Sequence, residues 1–396
     1  MSKYIVVHSG ARDQYKVAES LYKHGKLGYL VTDDIFFRKE YRKLFPKSVV
    51  RISYLGLIVR IVLKIHNFGE GLQRLKGRLL GRTAGKLSRR ENMPLFALHE
   101  YAYFAYQYST VRPRVLFQFH PHACSNKRIF EEEIARHPEM RGFASEIAIY
   151  TPQKLQEAID EIKLSDYYIA ETTFTKQTLV ENGADENRIF IAPLGVDTTR
   201  YPYKERNVPK TLNFVFVGSF VERKGAYYLL HAVKKLEDEG LNFRLNVISR
   251  SVGDESLIKQ LNIKSIELHY NVSHSDLIKT LHNSDVFVFP SLFEGFALVI
   301  VEAMSTGLPV ITTPRTCGLD VITEGEEGFV IPPSNVDAIY EKMKFFILNP
   351  EKCPEMGRKA AINSKKLTWQ NFEDKIISAI TKIESNENSI SHVISR

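Results

Sequence analysis

The stretch DVFVFPSLFEGFALVIVEAMSTGLPVITT, residues 285–313, decides the fold by the order of its parts. An all-apolar run, Val286 to Phe289, ends at Pro290; a turn with Glu294 and Gly295 follows. Next comes an apolar segment carrying Glu302, stopped at Gly307, and after Pro309 a short β-branched run. A strand apolar on every position is covered on both faces, so strand, helix and strand at this spacing predict a βαβ unit of a parallel sheet. Glu294 and Glu302 stand eight residues apart across the strand-to-helix junction. The N–H groups of Phe296, Ala297 and Leu298 at the helix start lack intrahelical acceptors and favour an anion, for which phosphate is the natural occupant. A carboxylate beside phosphate repels it, so the two acids suit hydroxyls on either side of a diphosphate. The competing reading, a first-turn charge and a solvated helix residue, fits poorly because Glu302 interrupts an apolar helix.

Outward from this unit the alternation continues. LNFVFVG, AYYLLHAVKKLEDEG, FRLNVIS, SDLIKTLHN, PVITT and GFVIP extend it on both sides, with helices from Val336 onward. Before a mixed polar, proline-bearing connection, LGVDTTRYPYKERNVPK, the first half repeats the scheme: YIVVHS, a helix stopping at Gly25, GYLVTD, VLFQF, SDYYIA, a helix ending at Gly183 and NRIFIAP. The expected class is α/β, with two doubly wound Rossmann-like domains facing each other across a cleft. Their expected bounds are 1–195 and 211–365, joined by a linker at 196–210, with a final helix and polar, fraying tail over 366–396. Ligands of such sheets bind beyond the carboxyl ends of the strands.

The chain has 396 residues, 44% hydrophobic and 25% charged, ordinary globular proportions that exclude collagen-like and largely disordered classes. Three cysteines, Cys124, Cys317 and Cys353, are too few for a disulfide framework or a four-thiolate zinc site, which suggests a reducing compartment. No export signal is read in MSKYIVVHSG, and a cytoplasmic location is expected. The apolar segment Ile52 to Ile65 is cut by Arg60 and Lys64 and is shorter than the roughly 20 residues that cross a bilayer.

The formal charge of +8 is concentrated: residues 36–92 hold fifteen Lys or Arg against three acids. Basicity confined to one stretch argues for a local anionic partner and against a nucleic-acid surface. Leu55, Ile58, Val59 and Val62 recur at helical spacing, and Arg74, Arg78 and Arg82 share a face four residues apart. Arg51 to Arg90 therefore suits an anionic membrane surface, reached peripherally from the inner side; a core-facing helix with a solvated basic rim is the alternative. GRTAGKL, residues 81–87, is one residue short of a phosphate-binding P-loop and lacks its Ser or Thr.

The E-x7-E pattern from Glu294 to Glu302 resembles the retaining nucleotide-sugar glycosyltransferases of family 4, also called group 1, which have the GT-B fold. FVFVGSFVERKGAYYLLHAVKKL, residues 214–236, is similar to that family's strand, glycine loop and helix, and Ser165 to Tyr201 more loosely to the segment before its linker. The resemblance implies transfer of a sugar from a nucleoside diphosphate, UDP or GDP, to a hydroxyl acceptor such as a lipid-linked or polysaccharide precursor. Configuration would be retained, without metal or bound cofactor. Lys224, before Gly225, is implied to grip the donor diphosphate, helped by Arg223, by the loop at Gly218 and Ser219, and by the amides of Phe296 to Leu298. Ser219 stands where many members have Arg, and Ala297 where many have Gly. Glu302 would hold the ribose and Glu294 the transferred sugar. His120, after VLFQF, would approach that sugar from the other domain, better aligned than His122, and Gly10 would bring its backbone to the phosphates. A nucleotide-sugar epimerase of the same fold and a catalytically silent sugar-nucleotide-binding protein stay open as alternatives.

Overall fold

The computed structural model describes residues 2–10, 12–34, 43–65, 70–140, 143–250 and 255–394, so Ala11 and part of the basic segment, 36–42 and 66–69, lie outside the described residues. The first sheet comprises β1 (Tyr4–Val7), β2 (Leu27–Thr32), β3 (Val50–Ile52), β4 (Leu95–Leu98), β5 (Arg114–Gln118), β6 (Tyr167–Ala170) and β7 (Ile189–Ile191). Their spatial order is β3-β2-β1-β4-β5-β6-β7. The second comprises β8 (Leu212–Val217), β9 (Phe243–Ser249), β10 (Ile266–Tyr270), β11 (Val286–Phe289), β12 (Val310–Thr312) and β13 (Gly328–Val330), ordered β10-β9-β8-β11-β12-β13. Every neighbouring pair is parallel.

The architecture is thus the expected pair of doubly wound α/β domains. Strand residues of β1, β4 and β11 are completely or almost completely buried, as strands covered on both faces must be. In each sheet the strand order reverses once, at β1/β4 and at β8/β11. These two switch points open the crevices in which ligands of such sheets sit. The sequence reading overlooked β3, β4 and β10; β4 is only LFAL between Pro94 and a turn, too short for periodicity to register.

Two expectations about the rest of the chain are corrected. The tail does not fray at Glu384, because the helix Trp369–Ile394 runs on through it and returns to the first domain. There Lys23 pairs with Glu373 at 2.9 Å, Lys26 with Glu384 at 2.7 Å, and Tyr167 Oη donates to Glu387 at 3.1 Å. In the basic segment, the helix Glu70–Glu91 packs inward through Gly77, Leu80, Gly81, Ala84, Gly85 and Leu87. Glycine at 81 and 85 lets it lie against the helix Ala102–Tyr106: a Cβ on Gly85 would stand 2.3 Å from the Ala105 carbonyl. The sequence that failed as a P-loop is a helix-packing surface. Arg74 turns to Glu157 and the Phe104 ring, and Arg82 to the Tyr108 ring, so the three arginines do not form one free face.

Candidate active site

The loops after β8 and β11 meet at the second switch point. After β8 the chain passes Gly218 and half-buried Ser219, then makes a short turn, Glu222–Lys224, closed by Gly225 at φ 82°. A Cβ on Gly225 would lie 2.1 Å from the Pro290 carbonyl oxygen. Only glycine satisfies both the left-handed backbone and this contact, and the two loops are pressed together as a result. Lys224 Nζ thereby pairs with Glu294 Oε1, and Arg223 Nη1 reaches the same oxygen at 3.0 Å. Ser291 Oγ donates to it at 2.9 Å. Arg223 also donates to the Phe293 carbonyl at 3.1 Å and, across the cleft, to Glu146 of the helix Phe143–Ile147 at 3.1 Å.

Burial alone would raise the Glu294 pKa, but Lys224 and Arg223 outweigh it and hold the carboxyl down at about 2. Glu294 is therefore an obligate anion and hydrogen-bond acceptor at neutral pH, not a proton donor. Burial lowers the Lys224 ammonium in spite of Glu294, whereas for Arg223 the two carboxylates outweigh burial and raise it. Burial lifts Glu146. Lys224 and Arg223 thus converge on Glu294, with Glu146 as the second partner of Arg223, in the loop that leads into the helix Leu298–Ser305. That helix begins at Leu298, so Phe296 precedes it; the Phe296 carbonyl accepts from Cys317 N at 3.0 Å. Ala297 caps it at φ 70°, ψ 67°, a left-handed conformation that glycine adopts more easily.

The first domain approaches through the turn after β5. His120 is exposed there, and Gly295 comes so close that a Cβ on it would stand 1.9 Å from the Phe119 carbonyl and 3.1 Å from His120 Nδ1. Thr172 Oγ1 donates to the Gly295 carbonyl at 3.1 Å, and Thr173 Oγ1 to Asp320 at 2.6 Å. The fold thus brings His120 to the loop bearing Glu294. His122 instead is buried, caps the helix Ala123–Arg136 through Nδ1, and has its pKa lowered by burial. Gly10 departs from expectation: its N–H donates to Asp33 Oδ1 at 3.0 Å, with Arg60 laid over it and bridging Asp33 and Asp34. Its amide is committed within the first domain. Glu302 lies half-buried near Tyr201, Arg200 and His274, and burial raises its pKa; it is not a solvated helix charge.

The sequence reading missed Glu146, Ser291, the Thr173–Asp320 contact and the Phe119–Gly295 approach. Ser291, three residues before Glu294, had a local signal in its spacing; the interdomain partners had none.

Residues 197–363 match the family model described as glycosyl transferases group 1. The capsular polysaccharide biosynthesis glycosyltransferase CapM of Staphylococcus aureus is 30% identical over 269 residues, 62% of this chain and 69% of that protein. The MMP alpha-(1->4)-mannosyltransferase of Mycolicibacterium hassiacum is 26% identical over 52% of this chain, which spans about half (51%) of that relative's length. Among solved structures, sucrose-phosphate synthase from Thermosynechococcus elongatus superposes with TM-score 0.69 over 98% of this chain and 100% of its own, at 13% identity. Anabaena HepE, solved in complex with UDP-glucose, gives 0.61 over 96% and 100%, also at 13%. At that identity the likeness speaks for the fold alone: two parallel-sheet α/β domains in the GT-B arrangement.

Proposed function

Since the chain belongs to the group 1 glycosyltransferases, we propose that it moves a sugar from a nucleoside diphosphate, UDP or GDP, to a hydroxyl acceptor with retention of configuration and without a metal ion. The observation that carries this reading is the convergence of Lys224 and Arg223 on Glu294 at the β8/β11 switch point, facing His120. In the transfer, the acceptor oxygen bonds to the anomeric carbon as the bond from that carbon to the diphosphate oxygen breaks. The diphosphate leaves with the electron pair and takes up the acceptor proton. Lys224 and Arg223, with the first amides of the helix at Ala297 and Leu298, stabilise the charge that grows on it; each charge-assisted hydrogen bond contributes on the order of 1.5 to 3 kcal/mol. Glu294, ionised throughout, accepts from hydroxyls of the transferred sugar, Glu302 from the ribose, and His120 closes over the sugar. Gly218 and Ser219 border the diphosphate; the Gly10 amide, held by Asp33, is not offered to it. HepE, of the same fold, is described with UDP-glucose, a donor of this class.

Thermal stabilisation of the full chain by UDP, GDP and ADP tests donor binding, because a ligand that binds only the folded state raises its stability. Nucleotide release from UDP- and GDP-hexoses that depends on acceptor supports transfer; isomerised donor supports the epimerase, and binding without either the silent binder. Lys224→Ala is expected to lower turnover at least about a hundredfold. Unchanged turnover sinks the assignment.

An anionic membrane is the proposed surface for the acceptor side. Tyr54, Leu55, Ile58 and Ile61 of the helix Tyr54–Ile65 are 39% to 69% exposed and form an apolar stripe within the basic segment. Among the described residues no helix is long and apolar enough to cross a membrane. Cosedimentation with phosphatidylglycerol vesicles, weakened by Leu55→Asp and absent with phosphatidylcholine, is the expected result; equal binding by the variant discards this surface.

A further inference from the structure

The turn Glu222–Lys224 and the helix Ala226–Asp238 form one stretch of the second domain, joined at Gly225, and the first domain holds that stretch at two points. At Arg223 the holder is Glu146, 3.1 Å from Nε. One helical turn further on it is Glu133 of the helix Ala123–Arg136. Its carboxylate, 1% exposed, accepts from Tyr228 Oη and, at 2.6 Å, from Ser334 Oγ, both of the second domain, while Arg136 Nη1 pairs with it at 3.0 Å from its own helix. Ser334 makes its bond from a left-handed backbone, φ 57°, which residues other than glycine seldom adopt. His137 packs on the rings of Tyr227 and Tyr228 at 5.0 and 5.6 Å.

Behind these groups lies an aromatic platform that spans both domains. Phe130 meets Phe143 at 5.3 Å and, across the interface, Phe293 at 5.2 Å, and the Arg223 guanidinium lies 5.5 Å over the Phe293 ring. Buried Phe143 fixes the helix Phe143–Ile147, too short to hold a direction alone, and Glu146 with it. A carboxylate shut between two domains is costly unless donors meet it. Since Tyr228 and Ser334 belong to the second domain, parting the domains takes both from Glu133 at once. On Arg223, Glu146 at Nε and the Phe293 carbonyl and Glu294 at Nη1 fix the guanidinium plane from two sides. We infer that Glu133 and Glu146 are positioning residues: acting through Tyr228 and Arg223, they set the turn that carries Arg223 and Lys224 against the leaving diphosphate, and do so only while the two domains are together. Leaving-group stabilisation is thereby delivered where His120, from the first domain, is also in place. The inference rests on the transferase reading and adds to it the parts that place its cations.

The test uses the full chain with Tyr228→Phe and Glu146→Gln, each of which removes one holding bond and little volume, so that misfolding of one variant leaves the other decisive. In both, kcat with the hexose donor that the wild type turns over is expected to fall at least about tenfold, because a displaced group loses transition-state contacts steeply. The Kd of UDP or GDP and the donor KM should change less than about threefold. With Arg223→Lys already present, Glu146→Gln should cost no more than about twofold, its route being gone. Amide hydrogen exchange over residues 222–228 should quicken in both variants at an unaltered melting temperature. Unchanged kcat in both variants, a loss of nucleotide binding in proportion to kcat, or a full Glu146→Gln effect on top of Arg223→Lys overturns the inference. If the wild type binds nucleotide but turns over no donor, the transferase reading falls and hydrogen exchange decides alone: faster exchange over 222–228 upholds the hold on the turn, and wild-type exchange removes it.

Discussion

Glu294 and Glu161 are both buried carboxyls, yet their charges are opposite in consequence. Beside Lys224 and Arg223, Glu294 stays ionised to about pH 2; burial lets Glu161 keep its proton to about pH 8. The second case links stability to pH. The unfolded chain releases the Glu161 proton in the ordinary carboxylate range and the folded chain holds it, so stability falls as pH rises from there to about 8 and then levels. The slope approaches 1.4 kcal/mol per pH unit at most. Glu161→Gln is expected to flatten this fall, so that urea midpoints at pH 5 and pH 8 lie closer together than in the wild type; an unchanged difference means Glu161 ionises normally. Lys224 and Glu294 were readable as site residues because the strand-loop-helix pattern around each is local. Their pairing to each other was not, since 70 residues separate the two loops.

At the scale of elements, two left-handed residues flank the site with different tolerances. Gly225 combines φ 82° with contact to the Pro290 carbonyl, so Gly225→Ala costs backbone strain of about 1 to 3 kcal/mol and separates the loops that join Lys224 to Glu294. Ala297 already holds a side chain at φ 70°, so Ala297→Gly should change stability between nothing and about 1 kcal/mol of gain. Chemical denaturation of both variants checks this, and equal losses would contradict it. Apolar strands and glycine stops announced most elements. Short β3 and β4 escaped because three or four residues carry no periodicity, and the packing face of the helix Glu70–Glu91 was not legible because Gly77, Gly81 and Gly85 make it up together with Leu80, Ala84 and Leu87.

For the whole molecule, the helix Trp369–Ile394 ties the end of the chain to the first domain. Phe372, Ile376, Ala379, Ile380 and Ile383 are at most 3% exposed, one stripe at helical spacing. Removing residues 368–396 uncovers their partners, and the shortened chain is expected to lose its cooperative thermal transition or its soluble yield; an unaltered melting curve refutes that role. The stripe is legible in the sequence, but its destination is not. The parallel, doubly wound character follows from alternation and right-handed crossovers, whereas the strand at which each order reverses does not. The sequence by itself determined the α/β class, the two doubly wound units and the charged residues after β8 and β11. Tertiary structure alone decided that Arg223 bridges to Glu146, that Gly295 meets Phe119 beside His120, and that Gly10 spends its amide on Asp33. Those contacts join residues far apart in the chain, and proximity of that kind comes from packing, which no local pattern of residues encodes.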